Sequence, residues 1–103
     1  MPKLKDKPTL AELQTFIREL VAEKDFTQDP NEIFVLLTEE MGELAKELRK
    51  KWKYGADGVR ETAEGEFADV LMYLMDLANH FGVDLEQAVR HKVAANDGRS
   101  WDY

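Results

Sequence analysis

The stretch EIFVLLTEEMGELAKELRKKWKY, residues 32–54, decides the fold. Ile33, Leu36, Leu37, Met41, Leu44 and Leu48 recur at three- and four-residue intervals, and ~100° per residue gathers them on one face of a helix. Asp29-Pro30-Asn31 ahead of this helix reads as a break and a fresh N-cap. Gly55-Ala56-Asp57-Gly58 stops it, because glycine supplies the left-handed geometry in which helices end. Upstream, Thr9 follows Pro8 as a plausible N-cap, and Leu10, Leu13, Ile17, Leu20 and Val21 make the apolar face of a helix through about Lys24. Downstream, a third helix spans about Glu61 to His80. Its apolar arc of Phe67, Val70, Leu71, Leu74, Leu77, Ala78 and Phe81 is wide enough to predict a central position. Gly82 closes it, and Asp84 with Gln87 resembles a capping box opening a fourth helix through about Asn96. No strand pattern, repeat or low-complexity tract interrupts the series. The expected fold is all-α, a four-helix bundle forming one domain over residues 9–103, preceded by a flexible Lys-rich tail over residues 1–8.

Composition bounds the chemistry. In 103 residues there are 21 Asp and Glu against 14 Lys and Arg, a net charge of −7, with 44% hydrophobic residues, enough for one compact domain. The absence of cysteine excludes disulfides, thiolate metal sites and a thiol nucleophile, and it fits a cytoplasmic setting. No apolar run has the length of a signal peptide or a membrane span. An acidic surface disfavours nucleic acid and anionic lipid as partners and favours cations, or anions that arrive with cations.

The acids are not placed as a solvated fringe would be. Glu40 projects between Ile33, Leu37 and Leu44, with Glu43 and Glu47 at the edge of that arc. Glu66 lines up with Ala63, Val70, Tyr73 and Leu77, while Asp69, Asp76 and His80 form a polar ribbon beside it. The pairs Glu40/Glu43 and Glu66/Asp69 each share a helix face at three-residue spacing. Buried carboxylates need cations or protons, so these acids either pair with Lys and Arg across the bundle or hold a metal. An all-oxygen donor set suits Mg²⁺ or Mn²⁺. A di-iron site needs Glu-x-x-His pairs, which Glu43 and Asp69 do not complete. On the fourth helix Lys92, Asn96 and Arg99 form a strip suited to the phosphates and sugar of a nucleotide, or else a charged fringe beside a core stripe.

Together these motifs resemble the MazG-like all-α nucleoside triphosphate pyrophosphohydrolases, close to the small dCTP pyrophosphatase-type enzymes. The likeness runs from about Thr9 to Trp101. It rests on E-E-x-x-E at Glu39, Glu40 and Glu43, E-x-x-D at Glu66 and Asp69, the flanking Leu36-Leu37-Thr38 and Asp69-Val70-Leu71-Met72-Tyr73-Leu74, then Gly82-Val83-Asp84-Leu85 and Lys92-x-x-x-Asn96. The resemblance implies Mg²⁺-dependent cleavage of a (d)NTP to monophosphate and pyrophosphate in nucleotide-pool house-cleaning. Glu40, Glu43, Glu66 and Asp69 would hold metal, and Glu39 or Glu43 would activate water. Lys92, Asn96 and Arg99 would contact phosphates or sugar, and Tyr73 and Phe26 would flank the base. It also implies a homodimer or a homotetramer built as a dimer of dimers, for which Met41, Met72 and Met75 are interface or core candidates. Ile17 stands where the dCTP-type enzymes carry a base-contacting His, which leaves the base open. Phosphoribosyl-ATP pyrophosphohydrolase, a relative, and a non-catalytic helical dimerisation or regulatory module are the competing readings.

Overall fold

The computed structural model describes residues 1–55 and 59–97, and among them all regular structure is helical. Four helices follow in chain order: α1 (Leu10–Glu23), α2 (Pro30–Tyr54), α3 (Val59–His80) and α4 (Leu85–Asn96). Each start has a local cause. At α1 the Thr9 hydroxyl accepts from the Glu12 amide at 3.1 Å and the Glu12 carboxylate accepts from the Thr9 amide at 2.9 Å, a complete capping box. Lys5 adds an ion pair to Glu12 at 2.9 Å, and these contacts hold the Glu12 carboxyl down at about 2. Helix α2 begins two residues earlier than its apolar period suggests. Pro30 occupies the first helical position, where its missing N–H costs nothing, and Asp29 caps by accepting from the Asn31 amide at 2.9 Å. The Asp84 side chain caps α4 from the Gln87 amide at 3.0 Å. Gly55 and Gly82 leave their helices at φ 90° and 66°, geometry that an L side chain resists.

Helix α3 is central, packed against α2 on one side and α1 on the other, while α4 rests on α1. Ile17, Leu20 and Val21 of α1 meet Met75 of α3, with Leu10, Leu13, Phe16 and Leu85 around them. Ile33 and Leu37 of α2 and Ala63 and Ala78 of α3 complete the buried apolar set among the described residues. Met75 therefore belongs to the core, only 1% exposed.

The wide arc expected of α3 is not all interior. Phe67, Leu71 and Leu74 are exposed along one edge, and α2 exposes Phe34, Met41 and Leu48 at seven-residue spacing. The apolar period holds along both helices, but the other described elements leave these edges of α2 and α3 uncovered. No described helix is long and apolar enough to cross a membrane.

Candidate active site

The pairing of α2 with α3 brings the acid motifs together. One carboxylate oxygen from each of Glu40, Glu66 and Asp69 lies within 4.8 Å of the others, close enough for one cation to touch all three. Glu66 and Asp69 are one helical turn apart and Glu40 faces them from the neighbouring helix. The cost of this arrangement shows at Glu40. Burial, then the negative charges of Asp69 and Glu66, a hydrogen bond to Glu66 and the charge of Glu43 all push its carboxyl above the ordinary range. Glu47, two turns on, meets the opposite fate. Lys50 reaches it at 3.0 Å, and with help from Thr62 its carboxyl is pulled down. The same helix thus carries one acid in an ordinary ion pair and one held among like charges. The second arrangement fits a hard divalent cation, whose charge offsets the repulsion while oxygen donors meet its preference.

Beside the trio a cleft of about 270 Å³ opens between α1, the α1–α2 connection and α3. Asp69 lies in its wall, with Phe26, Tyr73, Leu36, Met72 and the buried Asp76 around it. Ile17, Leu20 and Val21 supply the apolar wall from α1. The Tyr73 hydroxyl is pushed up, first by burial and then by the charges of Glu40, Asp69, Asp76 and Glu39, so it remains a hydrogen-bond donor well into the alkaline range.

The expected site residues divide accordingly. Glu40, Glu66, Asp69, Tyr73 and Phe26 converge. Glu43 is exposed and its charge reaches Glu40, while Glu39 is exposed and its charge reaches Tyr73. Lys92 is exposed and Asn96 half-buried on α4, and neither lines the cleft. Arg99 lies outside the described residues. Thr27 joins the cleft without having been singled out, Leu36 and Met72 join it after being read as core, motif or interface residues, and Asp76 was seen only as part of a ribbon. The signal for Asp76 was available, because it stands seven residues after Asp69 and so returns to the same helix face.

The described residues form an all-helical chain in which carboxylates from two helices gather beside an aromatic-lined cleft, a grouping that could hold a metal ion. Residues 28–100 match the MazG nucleotide pyrophosphohydrolase domain, and the chain belongs to that family. It is 34% identical over 103 residues to dCTP pyrophosphatase 1 of Rattus norvegicus, covering 90% of this chain and 59% of that protein. The chain thus spans well under two thirds of the length of the dCTP pyrophosphatase 1 relatives it matches. It is 36% identical over 93 residues to the dATP/dGTP diphosphohydrolase of cyanophage S-2L, covering 90% of this chain and 78% of that one. The solved structure of YpjD from Bacillus subtilis superposes with a TM-score of 0.73 at 28% identity, covering 93% of this chain and all of that one.

Proposed function

We propose that the chain is a Mg²⁺-dependent nucleoside triphosphate pyrophosphohydrolase, cleaving a (d)NTP between its α and β phosphates to release a monophosphate and pyrophosphate. The observation that carries this reading is the contact between two features: Asp69 belongs both to the acid trio and to the wall of the cleft that holds Phe26 and Tyr73. A triphosphate at the acids would leave its nucleoside among apolar and aromatic walls. Relatives whose names give dCTP, or dATP and dGTP, as substrates support deoxynucleotides.

Glu40, Glu66 and Asp69 would hold the metal, and the resemblance assigns Glu43, whose charge reaches Glu40, to the same set. Bound there, Mg²⁺, or Mn²⁺ in its place, supplies positive charge to phosphate oxygens and acidity to an attacking water. Glu39 and Glu43, both exposed, are the candidates to orient that water and take its proton. Tyr73 and Phe26 flank the base and exclude water from it. Lys92, Asn96 and Arg99 keep their assignment to phosphates or sugar on the strength of the resemblance. A nucleotide-pool, house-cleaning role in the cytoplasm follows from the same reading.

The test is product identity. With Mg²⁺ and a panel of standard and modified (d)NTPs, chromatography should find monophosphate and pyrophosphate in equal amounts, whereas diphosphate and phosphate would remove the assignment. In the same panel Phe26→Ala and Tyr73→Ala should change the ranking of bases more than the Mg²⁺ requirement, and a uniform loss would count against stacking.

The acting species in this proposal is a homodimer or homotetramer. Phe34, Met41 and Leu48 on α2 and Phe67, Leu71 and Leu74 on α3 form parallel exposed stripes, and Phe67 is 55% exposed. Apolar stripes of this kind mark a surface that another chain covers. Light scattering should give twice or four times the monomer mass of 11.9 kDa, and Phe67→Glu should shift it toward the monomer. A wild-type monomer at micromolar concentration would end this part of the reading.

A further inference from the structure

Asp76 is the buried charge that the proposed hydrolysis does not use. It is 6% exposed, it lies in the wall of the cleft, and it follows Asp69 by seven residues on the same face of α3. Seven residues of helix rise about 10 Å, so Asp76 sits two turns from the acid trio with Tyr73 between them. A nucleotide with its phosphates at Asp69 and its base beside Tyr73 and Phe26 brings the edge of that base toward Asp76.

Among the described residues, His80 is the group that offsets this charge, and it does so weakly. His80 Nε2 approaches Asp76 Oδ1 at 3.5 Å, too far for a strong hydrogen bond, and burial pushes the Asp76 carboxyl up in spite of it. A carboxylate this far buried is costly to keep ionised, and a ligand that delivers N–H groups offsets the cost.

Resting on the nucleotide reading of the cleft, we propose that Asp76 reads the nucleobase, accepting hydrogen bonds from N–H donors on its edge. The chemistry ranks the bases. Guanine offers two adjacent donors, N1–H and the 2-amino group, which match the two oxygens of one carboxylate. Adenine and cytosine each offer an amino group beside a ring nitrogen that only accepts. Thymine and uracil present one N–H between two carbonyl oxygens, whose lone pairs face the carboxylate. The expected order is guanine first, adenine and cytosine next, thymine and uracil last.

Two measurements test it. On the unmutated protein, kcat/KM for dGTP should exceed that for dITP, which lacks the 2-amino group, by about tenfold, since a hydrogen bond to a charged group has that worth. Asp76→Asn should then lower the dGTP to dTTP ratio of kcat/KM by about 10- to 100-fold, because its amide opposes a donor to the donors of guanine. Equal rates for dGTP and dITP, or a ratio unmoved by the substitution, would overturn the assignment. Calorimetric binding of dGMP and dTMP separates this from the hydrolase reading. If no triphosphate is cleaved, a dGMP preference that Asp76→Asn erases still upholds the base contact, and equal binding of the two monophosphates refutes it.

Discussion

Glu40→Gln should lower dNTP turnover by about two to three orders of magnitude and at the same time raise the melting temperature of the metal-free protein. Both effects follow from one carboxylate. Glu40 faces Glu66 and Asp69 across the α2–α3 contact, within reach of a single cation, and in the proposed metal site its loss would take away several kcal/mol of transition-state charge stabilisation. Without metal the same group is a burden, because burial and three neighbouring acids disfavour its ionised form. An amide of the same shape removes the repulsion and keeps the packing. Thermal melts with and without Mg²⁺ separate these contributions. Mg²⁺ should raise the melting temperature of the wild type, since a cation that binds only the folded chain stabilises it by mass action, and should do little for the variant. Asp69→Asn should behave likewise, and EDTA should abolish wild-type turnover. Full activity of either variant at an unchanged Mg²⁺ requirement would sink the metal assignment, as would equal Mg²⁺ stabilisation of wild type and Glu40→Gln.

The sequence carried the fold further than it carried the site. Helix order and ends were legible because caps and periods are local: Thr9 with Glu12, Asp29, Asp84, Gly55 and Gly82 all do what their chemistry predicts within a few residues. The acid trio was legible because Glu40 breaks the apolar face of α2 and a carboxylate there needs a partner. Which acids receive ordinary partners was not legible, since Glu47 and Glu40 differ through Lys50 and the facing residues of α3 rather than through their own spacing. The exposed edges of α2 and α3 escaped for a related reason. Periodicity reports that a face is apolar and cannot say whether the same chain covers it, as Phe67 and Leu71 show. Asp76 combined both difficulties, because its burial depends on α1 closing over α3.

Gln14 is the residue whose importance no pattern announced, and Gln14→Leu should be among the most destabilising single changes outside the acid cluster. Gln14 is buried on α1, among the apolar residues that face α3. Its amide donates to Asn79 Oδ1 at 3.1 Å and to the Val83 carbonyl at 2.9 Å, and its carbonyl oxygen accepts from the Leu85 amide at 2.7 Å. Asn79 returns a bond to the Gln14 backbone carbonyl at 2.9 Å. Leu85 opens α4, so its N–H is one of those that a helix cannot satisfy from within. Gln14 therefore caps α4 from another helix and fixes the α3–α4 turn to α1 at once. Leucine has nearly the same volume and is more apolar, so if burial alone governed the position the change would be neutral or stabilising. The hydrogen bonds predict the reverse. Losing the bonds to the part-buried Leu85 amide and Val83 carbonyl costs about 0.5–1.5 kcal/mol each. For a domain of this size each kcal/mol lowers the melting temperature by about 4–8 °C. Against a total stability of about 5–15 kcal/mol, that loss should be plain in a urea titration, with amide exchange accelerating first at the start of α4. The sign of the shift is decisive: an unchanged or raised melting temperature would show that the apolar environment of Gln14 outweighs the bonds it makes.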